Sequence, residues 1–579
     1  MSLIQLSTSF QSLLLNVVLG LIVVPLVYYL FDIRGTRTIP GPILAKFTSA
    51  WLGWFAYRGD MSDRVHDQHL KHGPIVRISP NHVSISHPDA IQAIYGHGIN
   101  ALKSNFYDAL VQFGRTPSVF TTRSKEDHAR KRKIVTHTFA PSQVLAFEPI
   151  VLKHQKAFLR QWDKLCEASK AKTLGHMGDC KWTSKDGRVW FDCVPWLSYE
   201  AFDILSDLTF GGSFNMIERV QDTLYIIKDP ASIRKALQTR TFLSPDNGKF
   251  EMEEVSAIET IVNRSEWALA VAVLPNWWRP LVSNWVPWYK TKIRGMERFG
   301  RMATTALANR INSLENVDRD DLLSRLFAQT DVEREAGDVE EDQKAPTLNI
   351  TELFAEAGTL LAAGTDTTSN TGSAIVYYLS KYPHVQHKLQ EILDSVLGSP
   401  DATSSLEDPD PENDNDDMME SFHSKIKNIV YIYAIINETL RVYSTISLGL
   451  PRVVPEEGIT ILGRTLEPGT VVSVPTYTIH RDKSAWGEDA DEFIPERWIE
   501  TEEDGTEKLI AHKAFIPFSF GPRACLGRNL ATMNLSMFVA LLFHRYDITL
   551  ADFEGPMHVR DGFVRKVKDC NIGIKRRCC

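Results

Sequence analysis

The stretch FIPFSFGPRACLGRNLA, Phe515 to Ala531, decides how this chain is read. Within it Phe518, Gly521, Arg523, Cys525 and Gly527 fall at the spacing FxxGxRxCxG. A cysteine binds a metal only as its thiolate. Cys525 therefore needs the metal itself and backbone N–H groups curling around the sulfur, aided by a helix that starts just after it. Gly521 and Gly527 let the backbone approach the sulfur and its bound group without a Cβ in the way. Phe518 shields the sulfur from water, and Arg523 offers a forked cation for a carboxylate.

These residues resemble the heme-binding loop of the cytochrome P450 superfamily, the heme-thiolate monooxygenases. The resemblance implies heme b with Cys525 as the axial iron ligand, and Phe518, Gly521, Arg523 and Gly527 around it. Thiolate ligation pushes electron density onto iron and favours O–O cleavage. By the same resemblance His128 and Arg132 in HARKRKIVTHTF, one helical turn apart, and Arg452 in SLGLPRVVP meet heme propionates. The basic Arg130, Lys131 and Lys133 are either part of a reductase-docking face or a solvated charge run.

Upstream, Asn349 to Pro383 (NITELFAEAGTLLAAGTDTTSNTGSAIVYYLSKYP) reads as one long apolar helix interrupted by AGTDTT, Ala363 to Thr368. Thr and Asp compete for nearby backbone, and Gly costs about 1 kcal/mol relative to Ala, so the interruption needs a reason. A hydroxyl that takes the carbonyl of the previous turn opens a local groove and bend. Matched to the family's distal helix, Thr367 belongs to the oxygen-binding groove and Asp366 to proton delivery.

In INETLRVYS, Glu438 and Arg441 share one helix face. Arg497 in FIPERW is a third partner, and a buried Glu with two arginines must stay complete or become costly. This resembles the family's ExxR and PERF elements, whose role is structural.

The remainder of the chain is consistent with one large cofactor-built domain. It has 579 residues, 43% of them hydrophobic. The net charge of -8 gives no encouragement to nucleic-acid binding. Cys166, Cys180, Cys193, Cys570, Cys578 and Cys579 are spaced like neither a zinc site nor a disulfide framework. Leu13 to Leu30 is uncharged, and 18 residues at 1.5 Å each span about 27 Å, one hydrocarbon core. Arg34 and Arg37 follow it, which puts the large domain in the cytoplasm. The expected fold is mainly α with a small β region, the cytochrome P450 fold, preceded by a single N-terminal transmembrane helix. The expected organisation is a membrane anchor at 1–31, a proline-containing linker at 32–45 and a catalytic domain at 46–579. Pro74 to Ser86 and Arg452 to Pro475 read as strands, with long helices dominating from Asp89 to Tyr382. An acidic insertion at about 400–424 reads as disordered.

The resemblance extends from about Pro40 almost to the end. Stretches such as KSNFYDA, AFDILSDLTFG and VPTYTIHRDKSAWGEDADEFIPERW look like the fungal benzoate 4-monooxygenase group. It implies para-hydroxylation of benzoate or O-demethylation of methoxybenzoates. Electrons would come from NADPH through NADPH-cytochrome P450 reductase, with cytochrome b5 as a further donor, at the endoplasmic reticulum membrane. The departures are the acidic insertion and the stretch around Lys172 to Arg188. By family position the loop Lys103 to Phe120 and the segment Ser444 to Leu448 face the distal pocket. Asn105, Tyr107, Thr445 and Ser447 are then candidates for a substrate carboxylate, because a buried anion needs partners. Two other readings stay open: a P450 of broader specificity, acting on stilbenes, polycyclic aromatics, terpenoids or steroids or serving secondary metabolism, and a non-catalytic heme sensor or carrier.

Overall fold

The computed structural model describes residues 20, 23–32, 34–111, 116–313, 321–327, 348–400 and 421–577. Most of the expected anchor at 1–31 and the acidic insertion at 401–420 lie outside the described residues. Among the described residues no helix is long and apolar enough to cross a membrane.

The core forms where the helices Glu148–Ala171, Val194–Phe210, Ile350–Lys381, Val430–Tyr443 and Arg528–Arg545 pack against one another. The longest of them, Ile350–Lys381, begins in a capping box. Asn349 accepts from the Glu352 N–H and Glu352 reaches back to the Asn349 N–H. It stops at Tyr382 because Pro383 disfavours helical backbone in the residue before it. AGTDTT does not interrupt it, and the backbone is helical throughout. The reason is that Thr365, Thr367 and Thr371 hydroxyls donate back to the carbonyls of Leu361, Ala363 and Thr367 at 2.7, 2.7 and 2.8 Å without breaking the turn. Gly364 is there for packing: a Cβ at this position would meet Leu205 of the Val194–Phe210 helix at 2.5 Å.

The predicted strands form one five-stranded sheet and a separate hairpin, Ile459–Ile461 with Arg464–Leu466. Ile75–Ser79 pairs antiparallel with His82–Ile85, which pairs parallel with Val471–Ser473; Arg452–Val453 and Leu102–Lys103 complete the edge. A second five-stranded sheet joins Tyr546–Leu550, Asn571–Arg576, Arg188–Asp192, Cys180–Lys185 and Leu174–Met177. A further hairpin pairs Thr223–Ile227 with Met252–Ser256. Helices therefore do not run unbroken from Asp89 to Tyr382. The signal at 180–192 was a turn: Asp186 and Gly187 both have positive φ, 54° and 69°, as a two-residue hairpin turn requires. The departure around 172–188 is this hairpin, which extends the second sheet.

Candidate active site

Cys525 sits at the end of a tight loop that its own N–H closes by donating to the Phe518 carbonyl at 2.9 Å. Gly521 makes the loop possible. Its φ is +71°, and a Cβ there would meet the Tyr95 carbonyl oxygen at 1.9 Å. That requirement is set by Tyr95 rather than by the sulfur, whereas a Cβ on Gly527 would point at the Cys525 Sγ 4.0 Å away. The helix Arg528–Arg545 starts just beyond. Burial pushes the Cys525 thiol up, while the Gly527 and Arg528 N–H groups and the Arg132 cation pull it down. The surface that Cys525 exposes faces an internal cavity of about 310 Å³.

The cavity has two differently built walls. On one side Lys103, His128, Arg132 and Arg523 converge. Arg132 donates to the Ala524 carbonyl at 2.9 Å, and Arg523 to the Thr122 carbonyl at 3.1 Å. Burial, together with Arg523, Lys103, Arg132 and Arg452, holds His128 down to about 3. Burial and the neighbouring arginines likewise lower Lys103, and Arg523 to about 10. The arginines and Lys103, which depress one another and keep His128 neutral, need an anion among them. A group carrying two carboxylates and a metal for Cys525 fits this donor set, as heme does. Arg452 adds charge to the cluster, but its Nη1 donates to the Tyr107 hydroxyl at 2.7 Å.

The opposite wall is the middle of the Ile350–Lys381 helix, with Ala363, Thr367 and Asp366 on it. Asp366 Oδ1 forms a buried ion pair with Lys566 Nζ, and Asn370 Nδ2 lies 3.4 Å from the same oxygen. Asp366 also borders a second cavity of about 200 Å³, lined by Ser369, Asn370, Arg560 and Lys566 among others.

Of the four groups expected at a substrate, Thr445 lines the cavity, and its hydroxyl is 2.8 Å from that of Thr371. The other three have different partners. Asn105 donates to Asn276 Oδ1 at 3.0 Å and borders another cavity. Tyr107 is buried under Arg452, and Ser447 bonds the Ser62 hydroxyl. Lys131 is not at a docking face; it is buried, donating to the Pro117 carbonyl at 2.6 Å, and Arg130 is bound to Asp127 and Glu352.

Behind the loop, Glu438 and Arg441 pair through two 2.8 Å bonds, and Arg497 Nε donates to Glu438 at 3.0 Å. Sequence reasoning missed the rest of this network, the Trp498 indole N–H and the Ile494 N–H, which also donate to Glu438 at 2.9 and 2.8 Å. It missed Lys103 and Lys566 too, whose positions depend on strand pairing far from either motif.

The cytochrome P450 family model matches residues 40–572. The chain belongs to the cytochrome P450 family. It is 37% identical to the benzoate 4-monooxygenase bphA of Aspergillus niger, over 96% of this chain and 97% of that one. It is 27% identical to the cytochrome P450 monooxygenase poxM of Penicillium oxalicum, over 90% and 86%, and 25% identical to a cytochrome P450 monooxygenase of Aspergillus terreus, over 91% and 95%. This P450 is therefore a monooxygenase, and the family implies heme, dioxygen and a reductase as electron donor.

Proposed function

We propose that this P450 transfers one oxygen atom from dioxygen to a small aromatic acid, by para-hydroxylation of benzoate or O-demethylation of methoxybenzoates. The observation that carries this reading is the 37% identity to a benzoate 4-monooxygenase along almost the whole of both chains. The cavity supports it: Leu110, Phe120, Leu205, Leu360, Phe563 and Val564 offer apolar surface suited to a benzene ring.

Heme b held by Cys525 supplies dioxygen reduction and oxygen-atom transfer. Lys103, His128, Arg132 and Arg523 are the groups that would hold its propionates, with Phe518 and Gly527 shaping the sulfur side. On the opposite wall Thr367 Oγ1, tied to the Ala363 carbonyl at 2.7 Å, presents an oriented hydroxyl. Asp366 borders both cavities, so it can take up a proton on the side of Lys566 and release it on the side of Thr367. The apolar side chains exclude bulk water from that transfer.

Electrons come from NADPH through NADPH-cytochrome P450 reductase, with cytochrome b5 as a second donor, at the endoplasmic reticulum membrane with the catalytic domain in the cytosol. An exposed apolar face supports a membrane contact. Val24, Leu30, Phe31, Ile43 and Leu44 lie near the N-terminus, and Trp54, Tyr57, Trp277 and Trp285 are exposed farther along the chain. The rings of Trp54, Tyr57 and Trp288 touch in series at 5.6 and 5.0 Å, which joins the 50–58 and 278–288 segments in one aromatic surface.

The test is turnover by the purified holoprotein with reductase and NADPH, with products identified by mass spectrometry. Formation of 4-hydroxybenzoate from benzoate or 4-methoxybenzoate is expected. Oxidation of stilbene or a steroid with none of either benzoate would overturn the substrate and leave the monooxygenase.

A further inference from the structure

One carboxyl lining the cavity beside Cys525 belongs neither to the propionate cluster nor to the Asp366 ion pair. Glu356 lies on the helix Ile350–Lys381 and is 1% exposed. Its Oε1 accepts the Val119 N–H at 2.6 Å, and its Oε2 has no hydrogen-bond partner among the described residues. A buried carboxylate oxygen without a donor is costly, and the same oxygen carrying a proton becomes a donor that needs an acceptor.

The charges around Glu356 are engaged with other groups. Lys131, on the helix Lys125–Thr136, donates to the Pro117 carbonyl at 2.6 Å and lies 3.1 Å from Asp127 and 3.3 Å from Glu352. Lys103, on the strand Leu102–Lys103, donates to the Phe120 carbonyl at 2.6 Å. Glu352, one turn earlier on the same helix as Glu356, is bound to Arg130. Burial outweighs the Val119 N–H and the two lysines, Glu352 adds to it, and Glu356 is pushed up to about 7. Heme propionates held at Lys103 would act on Glu356 in the same direction. Along the helix, Glu356, Leu360, Ala363 and Thr367 all line the cavity at i, i+4, i+7 and i+11. Seven residues at 1.5 Å each set Ala363 about 10 Å along the axis from Glu356.

We infer that Glu356, as the carboxylic acid, donates from Oε2 to the carboxylate of the aromatic acid, and that this contact lays the ring along the helix with its para carbon leading towards Ala363 and Thr367. The inference rests on the aromatic-acid reading above and names the residue that would make the site choose the ring position farthest from the carboxylate. A neutral donor gives the substrate anion a partner without burying a second negative charge. It also ties binding to pH, because ionising Glu356 would set two negative charges side by side.

The experiment titrates the ferric holoprotein with benzoate from pH 6 to 8.5, following the Soret spin-state shift, with benzamide as the neutral isostere. Benzoate stays ionised throughout, as an ordinary carboxyl does. In wild type its affinity should fall roughly 30-fold across this range, as required when one group titrating near 7 must be protonated, while benzamide does not weaken. Glu356→Gln keeps a donor in place without the charge. It should bind benzoate at pH 6 within about threefold of wild type and lose the pH dependence. A slope that persists in Glu356→Gln belongs to another group, Lys103 first, and overturns the inference. So does a wild type whose benzoate affinity is independent of pH, or one in which benzamide weakens as much as benzoate. If Glu356→Gln does not take up heme, infrared difference spectra of wild type carry the test: adding benzoate at pH 8 should bring up the C=O stretch of a protonated carboxyl, and its absence overturns the inference. All of these results keep benzoate bound and leave the aromatic-acid reading standing. If benzoate does not bind at any pH, that reading falls and the inference falls with it.

Discussion

Glu438 and Asp366 are both buried carboxylates facing cations, and the protein treats them in opposite ways. Glu438 accepts five hydrogen bonds, two from Arg441 and one each from Arg497, Trp498 and Ile494. Arg441 in turn donates to the carbonyls of His480 and Glu492 at 2.8 and 2.7 Å. Asp366 has one strong partner, Lys566, and borders a cavity on each side. A carboxylate whose lone pairs are all occupied can only hold its surroundings together. A carboxylate with open sides can change partners and move a proton.

The sharpest way to break this contrast is Glu438→Ala. It leaves two guanidiniums facing a void, and removing one partner of a buried ion pair costs about 3–5 kcal/mol. Denaturant unfolding should register that loss, and the ferrous–CO absorption band should vanish because the loop carrying Cys525 loses its backing. A variant that unfolds at the wild-type midpoint would mean that the network is dispensable. Asp366→Asn should behave in the opposite way: heme uptake and the benzoate spin shift persist, while turnover falls on the order of 10²-fold and gains a larger solvent isotope effect. Equal loss of heme in both variants would erase the distinction.

The closed half was largely legible in the sequence, and the open half was not. Glu438 and Arg441 are three residues apart on one helix, so their pairing follows from local geometry, and the loop from Phe518 to Gly527 is contiguous. Asp366 and Thr367 could be located by their placement in an apolar helix. What surrounds Asp366 could not: Lys566 is 200 residues away, so only tertiary packing brings the two together. Family position predicts that the loop holding Asn105 and Tyr107 faces the distal pocket, but not which way its side chains turn. In the short helical turn Asn105–Leu110, Tyr107 points inward to Arg452 and Asn105 outward to Asn276. The hairpin at 180–192 was readable from its Asp-Gly turn and was passed over among long helical periods.

Acid should probe the closed half next. His480 is buried beside Arg441, and its Nε2 accepts the Ile516 N–H at 3.0 Å, so the ring is neutral. Burial, then Arg441 and Arg481, hold its pKa at about 3, below the ordinary 6.5. The unfolded chain takes up this proton first as pH falls. The histidine's contribution is therefore whole above pH 6.5 and is lost progressively from 6.5 down towards 3. Between pH 6.5 and 4.5 unfolding free energy should drop, with His480 responsible for up to about 1.4 kcal/mol per pH unit. His480→Gln should flatten the profile by that share. An unchanged slope would mean that the ring is protonated in the folded protein.

The smallest effect should come from Thr445→Val, on the open side. The Thr371 hydroxyl donates to the Thr367 carbonyl and can accept from Thr445, so removing the Thr445 hydroxyl leaves Thr371 with its own acceptor. Valine has nearly the same shape, and the lost bond is worth about 1 kcal/mol or less. The melting temperature should fall slightly and the benzoate dissociation constant should stay within about twofold, since Thr445 bonds to the wall. A tenfold or greater weakening of benzoate with benzamide unaffected would show that the Thr445 hydroxyl turns to the substrate carboxylate. The acid would then be held by the Thr445 hydroxyl, and the open wall would be closed on binding in the same manner as the network around Glu438.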